Sequence, residues 1–195
     1  MEVIKTLITE EELEERIEEL AEEINSDYKD RKPIVICILK GAIYFYVDLT
    51  RKLNMDPELD FMRVSSYSGE ESTGKINIKI DLDKDIKDRD ILIVEDIIDT
   101  GYTLKGLYEH LEKKEPNSIK LCCLLDKKER RKVEGINPDY TGFIIPNRFV
   151  IGYGLDRDES YRTLPRICCV TDEYDNKLES DREKVQKQLV KRKSI

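Results

Sequence analysis

A single histidine, His110, stands in 195 residues, so metal or triad chemistry built on imidazole is set aside at once. Five cysteines occur without C-x-x-C spacing. Cys37, the pair Cys122–Cys123 and the pair Cys168–Cys169 lie in apolar, strand-like runs, which reads as buried thiols rather than disulfides or metal ligands. No apolar run approaches the roughly 20 residues of a membrane span, and no signal-peptide hydrophobic region stands at the N-terminus. A cytoplasmic protein without membrane contact is therefore expected. Positive charge is in deficit: 34 Lys and Arg face 42 Asp and Glu, a net charge of −8. That balance argues against general nucleic-acid binding and for a solvated acidic surface. Neither G-x-G-x-x-G nor G-x-x-x-x-G-K-[ST] occurs, which excludes the familiar dinucleotide and nucleoside-triphosphate loops. Internal repeats and low-complexity tracts are absent as well.

What remains is one domain's worth of sequence with a regular alternation of elements. Thr9-Glu10-Glu11-Glu12 is a capping box, and Leu13, Ile17, Leu20 and Ile24 form one apolar helical stripe behind it. Residues 34–39 read as a buried strand and 42–53 as a helix carrying the aromatic run Tyr44-Phe45-Tyr46. Those three rings cannot all face one core. Strands follow over 59–67 and 75–82, then a strand at 91–94, a helix over about 103–113, and strands at 119–125, 142–145 and 150–152. Alternating strands and helices predict an α/β fold with a central, mainly parallel sheet flanked by helices.

The segment Ile91-Leu92-Ile93-Val94-Glu95-Asp96-Ile97-Ile98-Asp99-Thr100-Gly101-Tyr102-Thr103 carries the most chemistry. Four uninterrupted apolar residues suit a strand buried on both faces. Two carboxylates then stand where that strand should end, before a small, hydroxyl-rich loop and a helix. Backbone N–H groups converging at a helix N-terminus bind a phosphate monoester, and Gly101 lets the backbone approach it. Glu95 and Asp96 would repel that phosphate, but carboxylates accept hydrogen bonds from sugar hydroxyls and bind hard cations. A phosphate cradle beside such a pair fits a ribose 5-phosphate, with Mg²⁺ as a candidate ion. The plainer reading is a set of solvated acids at a strand end, with Asp99 turning the chain. A phosphorelay receiver also opens on an apolar strand ending in acids. However, the acceptor carboxylate it needs is missing around Phe143 and Ile144, and about ninety residues precede the acidic strand here.

Four further motifs stand in register with this one: Leu39-Lys40-Gly41; Ser66-Tyr67; Leu124-Leu125-Asp126-Lys127; and residues 148–156, Arg-Phe-Val-Ile-Gly-Tyr-Gly-Leu-Asp, followed by Tyr161-Arg162. Over roughly residues 5 to 170 the set resembles the type I phosphoribosyltransferases, and within them the hypoxanthine-guanine enzymes. The resemblance implies transfer of a 5-phosphoribosyl group from phosphoribosyl pyrophosphate (PRPP) to a 6-oxopurine, with release of pyrophosphate. It assigns Glu95 and Asp96 to the ribose hydroxyls and Asp99, Thr100, Gly101, Tyr102 and Thr103 to the 5′-phosphate. Asp99 also matches the general base for the purine N7 proton. Lys40, Gly41 and Arg162 match pyrophosphate contacts, with a cis peptide expected before Lys40. Lys127 matches the donor to the purine O6, Phe149 the stacking aromatic, Val150 a backbone contact to the base edge, and Asp156 a second-metal ligand. Mg²⁺ is the implied cofactor, held by Glu95, Asp96 and Asp156 with few other protein ligands.

Each role has a plain structural rival. Spacing alone makes Lys127 one more solvated residue of the basic run 127–132, and Phe149 a core aromatic. The resemblance further implies a small hood over the sheet's carboxyl edge, a polar loop at 65–74 that closes over the site with Ser66 and Tyr67, and a homodimer or homotetramer. Residues 1–175 would form the single domain with its hood. Beyond them runs a charged tail, 176–195, where seven Lys and Arg meet three acids from Lys177 onward. Leu178, Val185 and Leu189 share a helical face there, so a terminal helix on the hood or on a neighbouring subunit is expected. A related fold also serves non-catalytic RNA-binding regulators, but those need a basic face, and the residues before Lys177 carry about −12.

Overall fold

The capping box at Thr9 starts the first helix. The Glu12 N–H donates to Thr9 Oγ1 at 3.2 Å, and the Thr9 N–H to Glu12 Oε2 at 2.8 Å. From there the computed structural model, which describes residues 2–66, 76–172 and 177–192, alternates strand and helix. The strands are β1 (Glu2–Ile8), β2 (Ile34–Ile38), β3 (Glu58–Ser66), β4 (Ile76–Ile80), β5 (Asp90–Ile98), β6 (Ser118–Asp126), β7 (Tyr140–Ile144), β8 (Val150–Ile151) and β9 (Ile167–Asp172). The helices are α1 (Glu10–Asp27), α2 (Ile43–Thr50), α3 (Tyr102–Glu112) and α4 (Leu178–Arg192). A short 3₁₀ turn at Lys128–Arg130 follows β6.

Six strands form the main sheet in the order β4-β3-β2-β5-β6-β7. All pair in parallel except β4, which turns back antiparallel on β3. Strand alternation divides the core. Val35, Cys37, Leu92 and Val94 pack with α1 and α2, whereas Ile34, Ile36, Ile91 and Ile93 pack with α3. Covering both faces is what makes the central strands read as continuous apolar runs.

Two sequence expectations need correction here. The acids do not lie beyond the central strand: β5 continues through Glu95 and Asp96 to Ile98, because β6 pairs with it as far as Ile98↔Asp126. Nor does the 150–152 strand join the main sheet. As β8 it pairs antiparallel with β9, which pairs antiparallel with β1, and these three strands are the hood. Hood and body share one core: Leu7, Ile8, Val150, Ile167 and Cys169 belong to the same buried cluster as Leu13, Ile17 and Phe45. All five cysteines are buried free thiols. No helix among the described residues is long and apolar enough to cross a membrane.

The free edge of β7 is closed by side chains. Arg16, only 2% exposed, donates from Nε to the Gly142 carbonyl at 3.2 Å and from Nη2 to the Thr141 carbonyl at 2.8 Å. Gln188 of α4 accepts from the Ile144 N–H at 2.9 Å and donates to its carbonyl at 2.8 Å, as another strand would. Removing Arg16 strips charge-assisted bonds from a covered edge. Arg16→Ala should cost about 2 kcal/mol, which lowers the melting temperature of a chain this size by roughly 4–8 °C. Thermal denaturation followed by circular dichroism checks this; an unchanged midpoint would mean the edge is satisfied without Arg16.

Candidate active site

The parallel strands deliver their C-terminal ends to one edge of the sheet, beneath the hood, and the predicted residues gather there. After β2 the chain turns through Leu39, Lys40 and Gly41 toward α2, and the Leu39–Lys40 peptide is cis. Gly41 backs onto β5 so closely that a Cβ at that position would lie 1.5 Å from Asp96 Oδ2. On its other side the Gly41 carbonyl meets Gly154, where a Cβ would approach it to 1.9 Å. A side chain at residue 41 would displace the Asp96 carboxylate and one at residue 154 would strike the Gly41 carbonyl, so the turn after β2, the acids of β5 and the hood loop meet through two glycines.

Glu95 and Asp96 are partly open to solvent as residues, yet Glu95 Oε2 is closed off and has no hydrogen-bond partner among the described residues. Burial, and then the adjacent Asp96 charge, pushes the Glu95 carboxyl well above the usual carboxylate range. Burial also pushes Asp96 up to about 6, against the pull of the Ile97 N–H, which donates to Asp96 Oδ1 at 2.6 Å, and of Arg162. Such a pair is short of donors or of positive charge. Sugar hydroxyls or a hard cation would supply either, so the donor set fits Mg²⁺. No group of three or more acid, His or Cys side chains able to hold a metal occurs among the described residues. The remaining ligands of an ion here would have to be oxygens of substrate or water.

Asp99 and Thr100 lead to Gly101, which caps α3 at φ +89°, a left-handed conformation that glycine adopts without strain. Gly101 offers no side chain to cap the first turn of α3, which leaves the N–H groups of that turn for a ligand. Tyr102 packs sideways into the α3 core. The loop after β6 is stitched to this cradle: the Lys127 N–H donates to the Ile98 carbonyl and the Lys132 N–H to the Thr100 carbonyl, both at 3.0 Å. Arg131 reaches back to Asp126 Oδ1 and to the Ile136 carbonyl, each at 2.5 Å.

Lys127 is not the solvated residue its basic run suggests. It is 7% exposed, and burial holds its ammonium below the ordinary lysine range. Its Nζ lies 3.8 Å from Asp99 Oδ2, while Arg130 Nε lies 2.5 Å from Asp99 Oδ1. Asp99 thus stands between two cations. Phe149 is not a core aromatic either: it is 54% exposed, immediately before the buried Val150. Val150 pairs with Cys169 of β9, which places Phe149 at the edge of the hood.

The hood loop carries the third group. Arg162 donates from Nη1 to the Gly154 carbonyl at 2.7 Å and pairs through Nη2 with Asp156 at 2.9 Å and Glu159 at 3.2 Å. Glu159 also holds Lys40 Nζ at 2.9 Å, and its N–H occupies Asp156 Oδ2 at 2.9 Å. Both oxygens of Asp156 are therefore engaged within the loop. Ser66 ends β3, paired with Ile76; Tyr67 and the rest of the 65–74 loop as far as residue 74 lie outside the described residues. Sequence reasoning missed Arg130 and Glu159. Arg130 was hidden in a charged run, and Glu159 had no local signal, since only the folded loop brings it between Lys40 and Arg162.

Comparison with known proteins shows the family. A family model described as a phosphoribosyl transferase domain matches residues 5–158. The hypoxanthine-guanine phosphoribosyltransferase of Lactococcus lactis is 48% identical over 174 residues, covering 89% of this chain and 94% of its own. The hypoxanthine-guanine-xanthine phosphoribosyltransferase of Tritrichomonas foetus is 44% identical over 163 residues, covering 84% and 89%. The crystal structure of a Bacillus anthracis hypoxanthine-guanine phosphoribosyltransferase superposes with a TM-score of 0.83 at 44% identity, over 86% of this chain and 98% of that one.

The raised Glu95 carboxyl has a thermodynamic consequence. A carboxyl whose folded value lies above its unfolded one weakens the fold as pH rises past the ordinary carboxylate range. Glu95→Gln removes that penalty. In ligand-free, metal-free protein at about pH 7.5 it should raise the melting temperature by roughly 2–4 °C, the shift that ~1 kcal/mol produces in a chain of this size. The gain should fade toward pH 4. A midpoint that falls, or a gain that persists at low pH, would show that the ionised carboxylate is not penalised here.

Proposed function

The chain belongs to the phosphoribosyl transferase domain family, and from that premise we propose that it is a purine salvage enzyme. It would transfer the 5-phosphoribosyl group of PRPP to hypoxanthine and guanine, giving IMP or GMP and pyrophosphate. The observation that carries the reading is the buried Lys127 ammonium, 3.8 Å from Asp99, together with the exposed Phe149 ring, the Glu95–Asp96 pair and the uncapped N-terminus of α3. An aromatic platform and a donor placed for O6 suit a 6-oxopurine. The acids suit a ribose diol, and the α3 N–H groups suit its 5′-phosphate.

In this mechanism the purine nitrogen forms a bond to the anomeric carbon as the bond from that carbon to pyrophosphate breaks. Lys40 and Arg162 exchange Glu159 for the departing pyrophosphate and stabilise its charge. Asp99 accepts the N7 proton once Arg130, itself 42% exposed, turns aside. Glu95 and Asp96 hold the ribose hydroxyls and would take up Mg²⁺ with them, with Asp156 contributing through water. The ion would neutralise PRPP and its leaving group. The loop with Ser66 and Tyr67 closes to exclude water, and Val150 reads the base edge through its backbone. Residues 1–175 form the catalytic unit in this reading, and 176–195 an appended helical tail. Five buried free thiols favour a reducing, cytoplasmic setting.

A base-transfer assay with PRPP and Mg²⁺ tests the activity. Hypoxanthine and guanine should yield nucleotide, and Lys127→Ala should lower kcat/KM for either base about 10–100-fold, the range of one lost charged hydrogen bond. Product from xanthine alone would make this a xanthine enzyme, and none from any of the three bases would defeat the catalytic reading.

The assembly we propose is a homodimer or homotetramer built on α2 and β3. Ile43, Tyr44 and Val47 are each about two-fifths exposed on α2, as are Leu59 and Phe61 on β3. The Phe61 ring lies 5.4 Å from that of Tyr46, which joins the two elements into one apolar face. Sedimentation of the native chain should show a dimer or larger species, and Val47→Glu combined with Phe61→Glu should reduce it to monomer. A monomeric native chain would remove the interface.

A further inference from the structure

The chain between β6 and β7, residues 127–139, returns past the phosphate cradle, and one side chain pins it there. Arg131 spans the loop: Nη2 donates to Asp126 Oδ1 and Nη1 to the Ile136 carbonyl, each at 2.5 Å. Asp126 is the last residue of β6, and the pair is nearly shut from water, with side chains 14% exposed on Arg131 and 1% on Asp126. Arg131 Nε and Asp126 Oδ2 are closed off and have no hydrogen-bond partner among the described residues. Two such atoms make this a costly way merely to brace a loop. The stem of the arginine has a second contact. A Cβ on Gly101 would lie 3.1 Å from Arg131 Cδ, with Val133 Cβ of the same loop 3.5 Å away. Arg131 therefore fills the space behind the left-handed glycine that opens α3. The next residue adds to this, since the Lys132 N–H donates to the Thr100 carbonyl at 3.0 Å.

We propose that Arg131 is a positioning residue for the 5′-phosphate: it backs Gly101 and Thr100, so that the first turn of α3 meets the phosphate in one fixed conformation. This rests on the reading of that turn as the phosphate cradle. Glycine has no side chain to hold its own dihedrals, and from φ +89° it can leave for other conformations at little cost. A cradle that wanders must be ordered again each time a phosphate binds, which weakens binding. Removing Arg131 empties the space behind Gly101 and loosens the loop that carries the Lys132 bond. Lys127 is secured separately at the end of β6, where its own N–H donates to the Ile98 carbonyl at 3.0 Å. Lys40, Arg162 and Phe149 stand on other loops. The effect should therefore follow the 5′-phosphate from one substrate to another and spare ligands that lack it.

PRPP and IMP carry that phosphate; hypoxanthine and pyrophosphate do not. Steady-state kinetics in both directions, each substrate varied against a saturating partner, tests the difference. Arg131→Ala should raise KM for PRPP and for IMP about 5-fold or more, with KM for hypoxanthine and pyrophosphate within about two-fold of the native values. Arg131→Lys keeps a stem against Gly101 and a charge for Asp126, and should recover most of the loss. If the unpaired Asp126 keeps Arg131→Ala from folding, adding Asp126→Asn removes that buried charge, and the double variant should show the same split. Four KM values that move together, or none that moves, would overturn the proposal, as would a loss of thermal stability without the split. Thr103→Asp separates this idea from the one beneath it, because a carboxylate in the first turn suits a helix but repels a phosphate. If that variant leaves KM for PRPP and IMP unchanged, the cradle reading fails. If it raises both while the Arg131 variants do not, the cradle stands and the positioning role falls.

Discussion

The site depends on one close approach: the carboxylate of Asp96 occupies the space that a side chain at position 41 would need. Parallel pairing of β2 with β5 sets the two strand ends side by side, in a register that runs from Ile34↔Ile91 to Cys37↔Val94. The turn after β2 can then cross the end of β5 only as bare backbone. Because it does, Gly154 can settle on the other face of Gly41, and Arg162 can reach the Gly154 carbonyl. Three loops distant in sequence meet through this glycine. A larger residue would part the acids of β5 from the cations of the hood loop, and the chemistry assigned to the site needs both.

A second set of contacts fixes the other half. Backbone bonds from residues 127 and 132 to residues 98 and 100 hold the loop after β6 against the phosphate cradle. Arg131 locks that loop through Asp126 and Ile136. Lys127 is then carried into a recess where water cannot fully solvate it, which is why its ammonium is weakened there and hungry for an acceptor. Phe149, which we assign to the same base, comes from the hood. In that reading the purine lies across a seam between two sheets.

How much of this the chain announces differs by element. The capping box at Thr9, the α1 stripe and the buried strands are local patterns, and the fold keeps them at nearly the expected positions. The extent of β5 was not legible, because two acids look like a strand's end until β6 is seen to pair beyond them. The membership of β8 was equally hidden: two apolar residues cannot say which sheet they will join. Glu159 became a site residue only through a loop in which Asp158, Glu159 and Tyr161 all take positive φ, at 52°, 62° and 72°, a conformation that side chains of this kind seldom announce. The face of α4 was legible in Leu178, Val185 and Leu189, but its grip on Ile144 and Arg148 depends on polar side chains that resemble any solvated surface.

The charges at the sheet edge show how the protein can wait for its substrate. Lys40 and Arg162, which we assign to pyrophosphate, are paired with Glu159 and Asp156; Arg130 is paired with Asp99. Most of these partners are well exposed, so water screens their attraction and breaking them demands little. A multiply charged phosphate ester offers the same cations several oxygens at once and wins the exchange. Glu95 and Asp96 are in the opposite condition. Neither forms an ion pair among the described residues, and Glu95 has a closed-off oxygen still to satisfy, so the ribose end of the ligand would relieve an existing cost rather than disrupt a bond. The two ends of one substrate thus meet complementary defects, cations that are only loosely held and acids that are short of donors. In the reading proposed above, that asymmetry is what would orient PRPP in the site.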